Sequence, residues 1–128
     1  ADARKASAMR EDTLTNILAQ LNSTSADIQA SAVISTDGLM MAALLPAGLD
    51  QDRMGAMSAA LLSLGARVAR ELDRGTLEQV LVKGDNGYVL MLQAGNDAVL
   101  TVLASSQAKL GLIFLDAKRA AAAMAQAL

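Results

Sequence analysis

The sequence contains no cysteine and no histidine. The lack of cysteine excludes disulfide bonds and thiolate nucleophiles, and the lack of histidine removes the side chain that most often serves as a general base or metal ligand. The acidic residues are scattered, and Asp37, Asp85 and Asp97 fall at predicted turns, where carboxylates usually cap the backbone. We therefore predict that the protein is not an enzyme and has no catalytic residue, cofactor or metal site.

Aromatic and basic residues are also scarce. The chain has one tyrosine and one phenylalanine, a formal net charge of -2 and a pI near 4.9. A nucleic-acid surface needs a positive patch and usually aromatic stacking platforms, so we expect no nucleic-acid partner. No apolar run reaches the roughly 18 residues of a membrane-spanning helix, and no secretory signal is visible. We therefore expect no membrane span and a cytoplasmic location.

Apolar residues are abundant for a small domain. Of the 128 residues, 53% are hydrophobic and 19% are charged, and the mean hydropathy is +0.34. A small soluble monomer normally carries a more charged surface. This excess predicts that part of the surface is buried against another subunit.

Two glycine turns mark two β-hairpins. Asp37-Gly38 and Asn86-Gly87 each lie between apolar runs, and these dipeptides tolerate the positive φ of tight hairpin turns. A further turn at Gly95-Asn96-Asp97 predicts a third strand after the second hairpin. The five predicted strands are residues 28–36, 39–45, 76–83, 88–94 and 98–104.

Three segments have helical periodicity. The first contains Leu14, Leu18 and Leu21 and has Asp12 or Thr13 as its cap. The second begins at residue 50 or 51 and reaches about residue 74 before Gly75, and the third begins near residue 110. The predicted order is α-ββ-α-βββ-α, an α+β fold in one domain over residues 12–128. Residues 1–11 have no apolar stripe, and we expect a disordered N-terminal segment there.

The long helix has two apolar sectors, and we expect the one with the larger side chains to face the sheet. We predict that the second sector forms a helix-to-helix contact between subunits, because its mostly small side chains allow close approach. The alternative is a solvated flank whose alanines simply favour the helix. The first sector contains Met54, Met57, Leu61, Leu64, Val68 and Leu72, and the second contains Gly55, Ala59, Leu62, Ala66 and Ala69.

Three arginines cluster towards the end of the same helix. Arg67, Arg70 and Arg74 fall within about 60° of its circumference, and Glu71 is placed to pair with Arg67 or Arg74. This pattern is typical of a solvated, salt-bridged face. The alternative is a contact site for an acidic partner.

The order of these elements over residues 12–123 resembles the Roadblock/dynein light chain family, and most closely its bacterial members. The most specific stretch is the apolar strand ending in Ser35-Thr36-Asp37-Gly38, followed by a second strand and the long helix. The resemblance implies a profilin/longin-like fold, with a five-stranded antiparallel sheet and helices on both faces. It also implies a homodimer that binds and regulates, or scaffolds, a Ras-like small GTPase in bacterial signalling or polarity.

In such dimers the long helices pack together and the strands that follow them join. Carried onto this sequence, the resemblance places the second sector of the long helix at the helix contact, and Leu77, Gln79 and Leu81 on the joining strand. A GTPase-activating or co-regulatory role on the partner is a further implication.

A small-molecule sensory domain is the alternative function, because such domains use a similar frame of sheet and helices. A sensory domain needs a pocket with a few convergent polar groups. The sheet-facing positions of this sequence are mostly leucine, methionine and valine, which favours the interaction module over the sensor.

Overall fold

Helices and antiparallel strands alternate in the order predicted from the sequence. The computed structural model describes residues 2–128, with side-chain positions for all of them except Asp2 and Ser7. The sheet order is β2-β1-β5-β4-β3, and every neighbouring pair is antiparallel. The predicted α+β fold class is confirmed. The elements are α1 (Asp2–Ser23), β1 (Ile28–Ser35), β2 (Met40–Leu44), α2 (Gln51–Glu71), β3 (Val80–Gly84), β4 (Gly87–Ala94), β5 (Ala98–Ala104) and α3 (Leu110–Ala127).

Helices α1 and α3 together cover one face of the sheet. Their buried side chains form the largest apolar cluster of the described residues. Every second residue of β4 and β5 belongs to this cluster, because successive side chains of a strand point to opposite faces of the sheet. The cluster includes Leu14, Leu18 and Leu21 of α1, Ile113, Ala117 and Met124 of α3, and Leu90, Leu92, Leu100 and Val102 of the sheet.

Helix α2 crosses the opposite face alone. Asp50 caps it by accepting a hydrogen bond from the Arg53 backbone N–H at 3.1 Å. One small cluster around Met54 joins the helix to β1 and β2, and another around Leu62 joins it to β4 and β5. A single helix cannot cover five strands, so Val82 of β3 remains exposed on this face, and Val89 and Leu103 are only half-buried.

A contact between two glycines sets the position of α2. Gly38, in the β1–β2 turn, has a φ of 89°, which favours glycine. A Cβ atom at Gly55 would overlap the carbonyl oxygen of Gly38. The helix therefore approaches the turn as closely as two backbones allow.

This contact overturns the predicted orientation of α2. Met54, Gly55, Ser58 and Leu62 are the buried residues of the helix. Gly55 and Leu62 are thus buried within the subunit, which corrects their placement at a subunit contact. The prediction that the sector of larger side chains faces the sheet is wrong for four of its members, each between 48% and 63% exposed. They are Met57, Leu64, Val68 and Leu72.

The end of α2 also differs from the prediction. The helix ends at Glu71, and Asp73, rather than Gly75, is the first residue with positive φ, at 57°. Backbone N–H groups of Arg74 and Asp73 donate to the carbonyls of Ala69 and Arg70, at 2.7 and 3.2 Å. This pair of bonds is a Schellman motif, which satisfies the last carbonyls of the helix.

Two further boundaries differ. Helix α1 begins at Asp2, so the predicted start at Asp12 or Thr13 is wrong, and residues 2–11 are helical where a disordered segment was expected. The described side chains before Leu14 are exposed. Strand β3 begins at Val80 instead of Thr76, so Leu77 and Gln79 belong to the connection that precedes it.

We predict that Gly55→Ala lowers the free energy of unfolding by about 1–3 kcal/mol, because the added methyl group must displace backbone atoms. Gly111→Ala, in α3, is the matched control, since nothing lies within 4 Å of its Cβ position. The control should be neutral or stabilise the protein by up to about 0.5 kcal/mol. Urea unfolding followed by circular dichroism measures both, and equal stabilities of the two variants would contradict the contact.

Candidate interaction surface

The exposed apolar side chains of α2 form a continuous stripe. We call Met57, Leu61, Leu64, Val68 and Leu72 the outer stripe. They fall within about 80° of the helix circumference, and Leu61 is half-buried while the others are exposed. Contiguous apolar surface of this kind on a small domain usually marks an interaction site.

A groove lies between the outer stripe and the sheet. It has a volume of about 520 Å³ and is lined mainly by apolar side chains. Asp50 and Arg53 lie at its polar end. The groove joins the outer stripe to the uncovered sheet face, so the two form one apolar surface. Its apolar lining comes from Leu49, from Met54, Met57 and Leu61 of α2, and from Val82, Val89, Met91 and Leu103 of the sheet.

The groove also contains a buried hydroxyl group. Thr101 of β5 is only 1% exposed, and its Oγ1 atom has no hydrogen-bond partner among the described residues. By contrast, the buried hydroxyl of Ser31 on the neighbouring strand donates to Asn22 Oδ1 at 2.6 Å. Buried polar groups without partners are uncommon and costly.

Strand β3 borders this surface and is a regular edge of the sheet. In the part of the chain that the structure describes, it pairs only with β4, and the register runs without interruption from Val80 to Gly84. The other edge strand, β2, is irregular, because a register shift leaves Met41 without a partner on β1. Bulges discourage pairing at an edge, so β3 is the better edge for adding a strand.

Of the three predicted arginines, Arg67 and Arg70 lie in the last turns of α2 and Arg74 lies beyond its end, so the helical sector predicted for all three does not include Arg74. Arg67 Nε is 3.0 Å from Glu71 Oε1, so the intrahelical salt bridge expected from the sequence is present. Arg74 Nε donates to the Leu72 carbonyl at 3.0 Å, and Arg70 is exposed. Exposed pairs of this type contribute only about 0.3–0.5 kcal/mol, which leaves the arginines available to a partner.

The residues predicted for the dimer contact differ in how far they are exposed. Ala59, Ala66 and Ala69 are half-buried on the sheet-facing half of α2. Leu77 is half-buried and would contact a Cβ atom added at Gly65. Gln79 and Leu81 are exposed near the β3 edge.

From its sequence, the outer stripe was expected to face the sheet, and its exposure was not predicted. The signal in the sequence was that Gly55, Ser58 and Gly65 lie on one side of α2, which indicates the side that packs closely. Glycines on one side of a helix permit close approach to a neighbouring backbone, and here that neighbour is the protein's own sheet.

Other kinds of site are absent from the described residues. Among them, no group of three or more acidic side chains is placed to hold a metal ion. Within the same part of the chain, no helix is long and apolar enough to cross a membrane.

The fold and its exposed surface define an α+β interaction domain. A sequence profile of the Roadblock/LC7 domain matches residues 13–104. The chain therefore belongs to the Roadblock/LC7 family, as its sequence predicted. An uncharacterized protein of Methanocaldococcus jannaschii is 41% identical over 105 residues, which cover 82% of this chain and 90% of that relative.

Solved structures share the fold. The structure described as MglB with tetrameric arrangement superposes with a TM-score of 0.84 at 20% identity, and the match covers 92% of this chain and 89% of that one. A Roadblock/LC7 domain from Streptomyces avermitilis gives a TM-score of 0.75 at 25% identity, with 84% and 90% covered. The likeness to MglB concerns the fold.

We predict that Thr101→Val raises the free energy of unfolding by about 1 kcal/mol, because it removes a buried hydroxyl that has no partner. Ser31→Ala is the contrasting variant and should lower stability by a similar amount, since it breaks a hydrogen bond. Urea unfolding at low protein concentration measures both. A loss of stability in Thr101→Val would show that the hydroxyl is hydrogen bonded.

Proposed function

We propose that the protein is a non-enzymatic, cytoplasmic homodimer that binds a Ras-like small GTPase and regulates or scaffolds it. The observation that carries the proposal is the continuity of the outer stripe, the groove and the regular edge of β3. Together they offer one helix face and one strand edge on the same side of the molecule. The family to which the chain belongs supports the same function.

In the proposed dimer, β3 pairs with β3 of a second copy across a two-fold axis. A two-fold contact uses the same patch on both subunits, so the two outer stripes lie side by side and each helps to cover the groove of the other. As in the prediction from sequence, Leu77, Gln79 and Leu81 lie near the proposed dimer contact. The helix contact differs from that prediction, because the outer stripe of α2 forms it instead of the small residues. The tetrameric arrangement described for MglB supports self-association in this fold.

We predict that Leu64→Asp separates the subunits, because it places an unpaired charge inside the proposed apolar contact. The expected loss is about 2–4 kcal/mol of association free energy. Leu115→Asp, on α3, is a matched control, because both leucines are 56% exposed. Light scattering across a concentration series measures the mass, with circular dichroism to check folding. A dimer that survives Leu64→Asp and dissociates with Leu115→Asp would place the contact on the other face.

The arginine cluster is the proposed contact with the GTPase. Arg67 and Arg70 lie in the last two turns of α2, and Arg74 follows its end. Since the chain has no histidine or cysteine, any effect on hydrolysis would come from arranging the GTPase's own residues or from one of these arginines acting on the phosphates. Replacing Arg67, Arg70 and Arg74 one at a time distinguishes the two routes. Loss of the effect on hydrolysis at a single position would indicate that this arginine acts on the phosphates.

We predict that the protein copurifies with a small GTPase of the same cell in its GTP-bound or GDP-bound state. Arg70→Ala should weaken binding by about 1–2 kcal/mol, as expected for an interface arginine. Arg10→Ala, on the exposed part of α1, should leave it unchanged. Phosphate release with and without the protein measures any effect on hydrolysis. Absence of binding to both nucleotide states of every candidate GTPase would refute the proposal.

A further inference from the structure

A second pocket lies on the face covered by α1 and α3, away from the outer stripe. It is an open pocket bordered by α3, the end of β4 with the turn after it, and the connection between α2 and β3. Its volume is about 310 Å³, near the lower end of the range for small-molecule sites. We call it the α3 pocket. Its apolar walls include Leu77, Leu92, Phe114 and Ala121.

Two opposite charges also line the α3 pocket. They are Lys118 of α3 and Glu78 of the α2–β3 connection, and the Lys118 Nζ atom is 5.9 Å from the centre of the Phe114 ring. In the part of the chain that the structure describes, neither Lys118 nor Glu78 forms a salt bridge. A cation and an anion therefore border one apolar cavity without neutralising each other.

We propose that the α3 pocket binds a free α-amino acid with an aliphatic side chain. The ligand's carboxylate pairs with Lys118, its ammonium group pairs with Glu78, and its side chain contacts Leu92, Phe114 and Ala121. A free amino acid carries its carboxylate and its ammonium group on the same α-carbon, so one small ligand can pair with both Lys118 and Glu78. Its aliphatic side chain occupies the apolar part of the pocket. This proposal goes beyond the GTPase-binding function and does not depend on it.

Other ligand classes match the pocket less well. An inorganic anion would pair with Lys118 but would leave the apolar walls and Glu78 without a partner. A residue inside a peptide has neither a free ammonium group nor a free carboxylate, and a residue at the end of a peptide has only one of them. A peptide would therefore leave Lys118, Glu78 or both without a partner. A fatty acid lacks the cation that Glu78 would bind.

Fluorine NMR at Phe114 tests the proposal directly. Because the chain has one phenylalanine, incorporation of 4-fluorophenylalanine gives a single reporter in the pocket wall. L-leucine should produce a saturable shift of this signal. 4-Methylpentanoate, which lacks the ammonium group, and leucinamide, which lacks the carboxylate, should bind about tenfold more weakly or worse, as expected for the loss of one charge pair.

Substitutions then assign each charge. Lys118→Gln should weaken leucine binding about tenfold, because it removes the cation that pairs with the leucine carboxylate. Leucinamide binding should not change, because leucinamide has no carboxylate. Glu78→Gln should do the same for leucine while sparing 4-methylpentanoate. Lys109→Gln, at the start of α3 and outside the pocket, is the matched control and should change neither.

Three results would overturn the proposal. They are the absence of a saturable shift with leucine at about 10 mM, equal affinity for leucine and its two analogues, and unchanged leucine binding in Lys118→Gln. Circular dichroism verifies that each variant is folded. Leu77 and Glu78 line the pocket and lie close to the proposed β3 contact, so repeating the titration in Leu64→Asp shows whether leucine binding requires the dimer.

Discussion

The close approach of Gly38 and Gly55 determines which side of α2 is available to other molecules. Because the two backbones meet without side chains between them, α2 lies against the β1–β2 turn with the side that carries Gly55. Met54, Ser58 and Leu62 are buried on that side, while most of the outer stripe remains exposed. The outer stripe, the groove beside it and their continuity with β3 all depend on this one contact.

The two faces of the sheet are covered unequally. Two helices cover most of one face, leaving the α3 pocket and Leu81 open, whereas α2 alone leaves Val82, Val89 and Leu103 partly open on the other. The longest run of exposed apolar side chains is the outer stripe of α2, although Met9 of α1 and Leu112 and Leu115 of α3 are also exposed.

The order of the elements and the family could be predicted from the sequence, while the facing of α2 could not. Helix α3 has one dominant apolar sector, so placing Ile113, Ala117 and Met124 in the core required no further information. Helix α2 has two sectors, and periodicity alone does not show which one meets the sheet. That choice depends on a contact between residues far apart in sequence. The α3 pocket was missed for the same reason, since Glu78 and Lys118 come to line the same cavity only in the folded chain.

The bulge at Met41 limits how far such sheets can grow. A sheet with two regular edges can add copies without end, as fibrils do. This sheet has one regular edge and one irregular edge, so the proposed pairing through β3 would use the regular edges of both chains and leave only the bulged ones exposed. Further growth of that proposed dimer by strand pairing would be disfavoured, and a larger assembly would have to use helix faces.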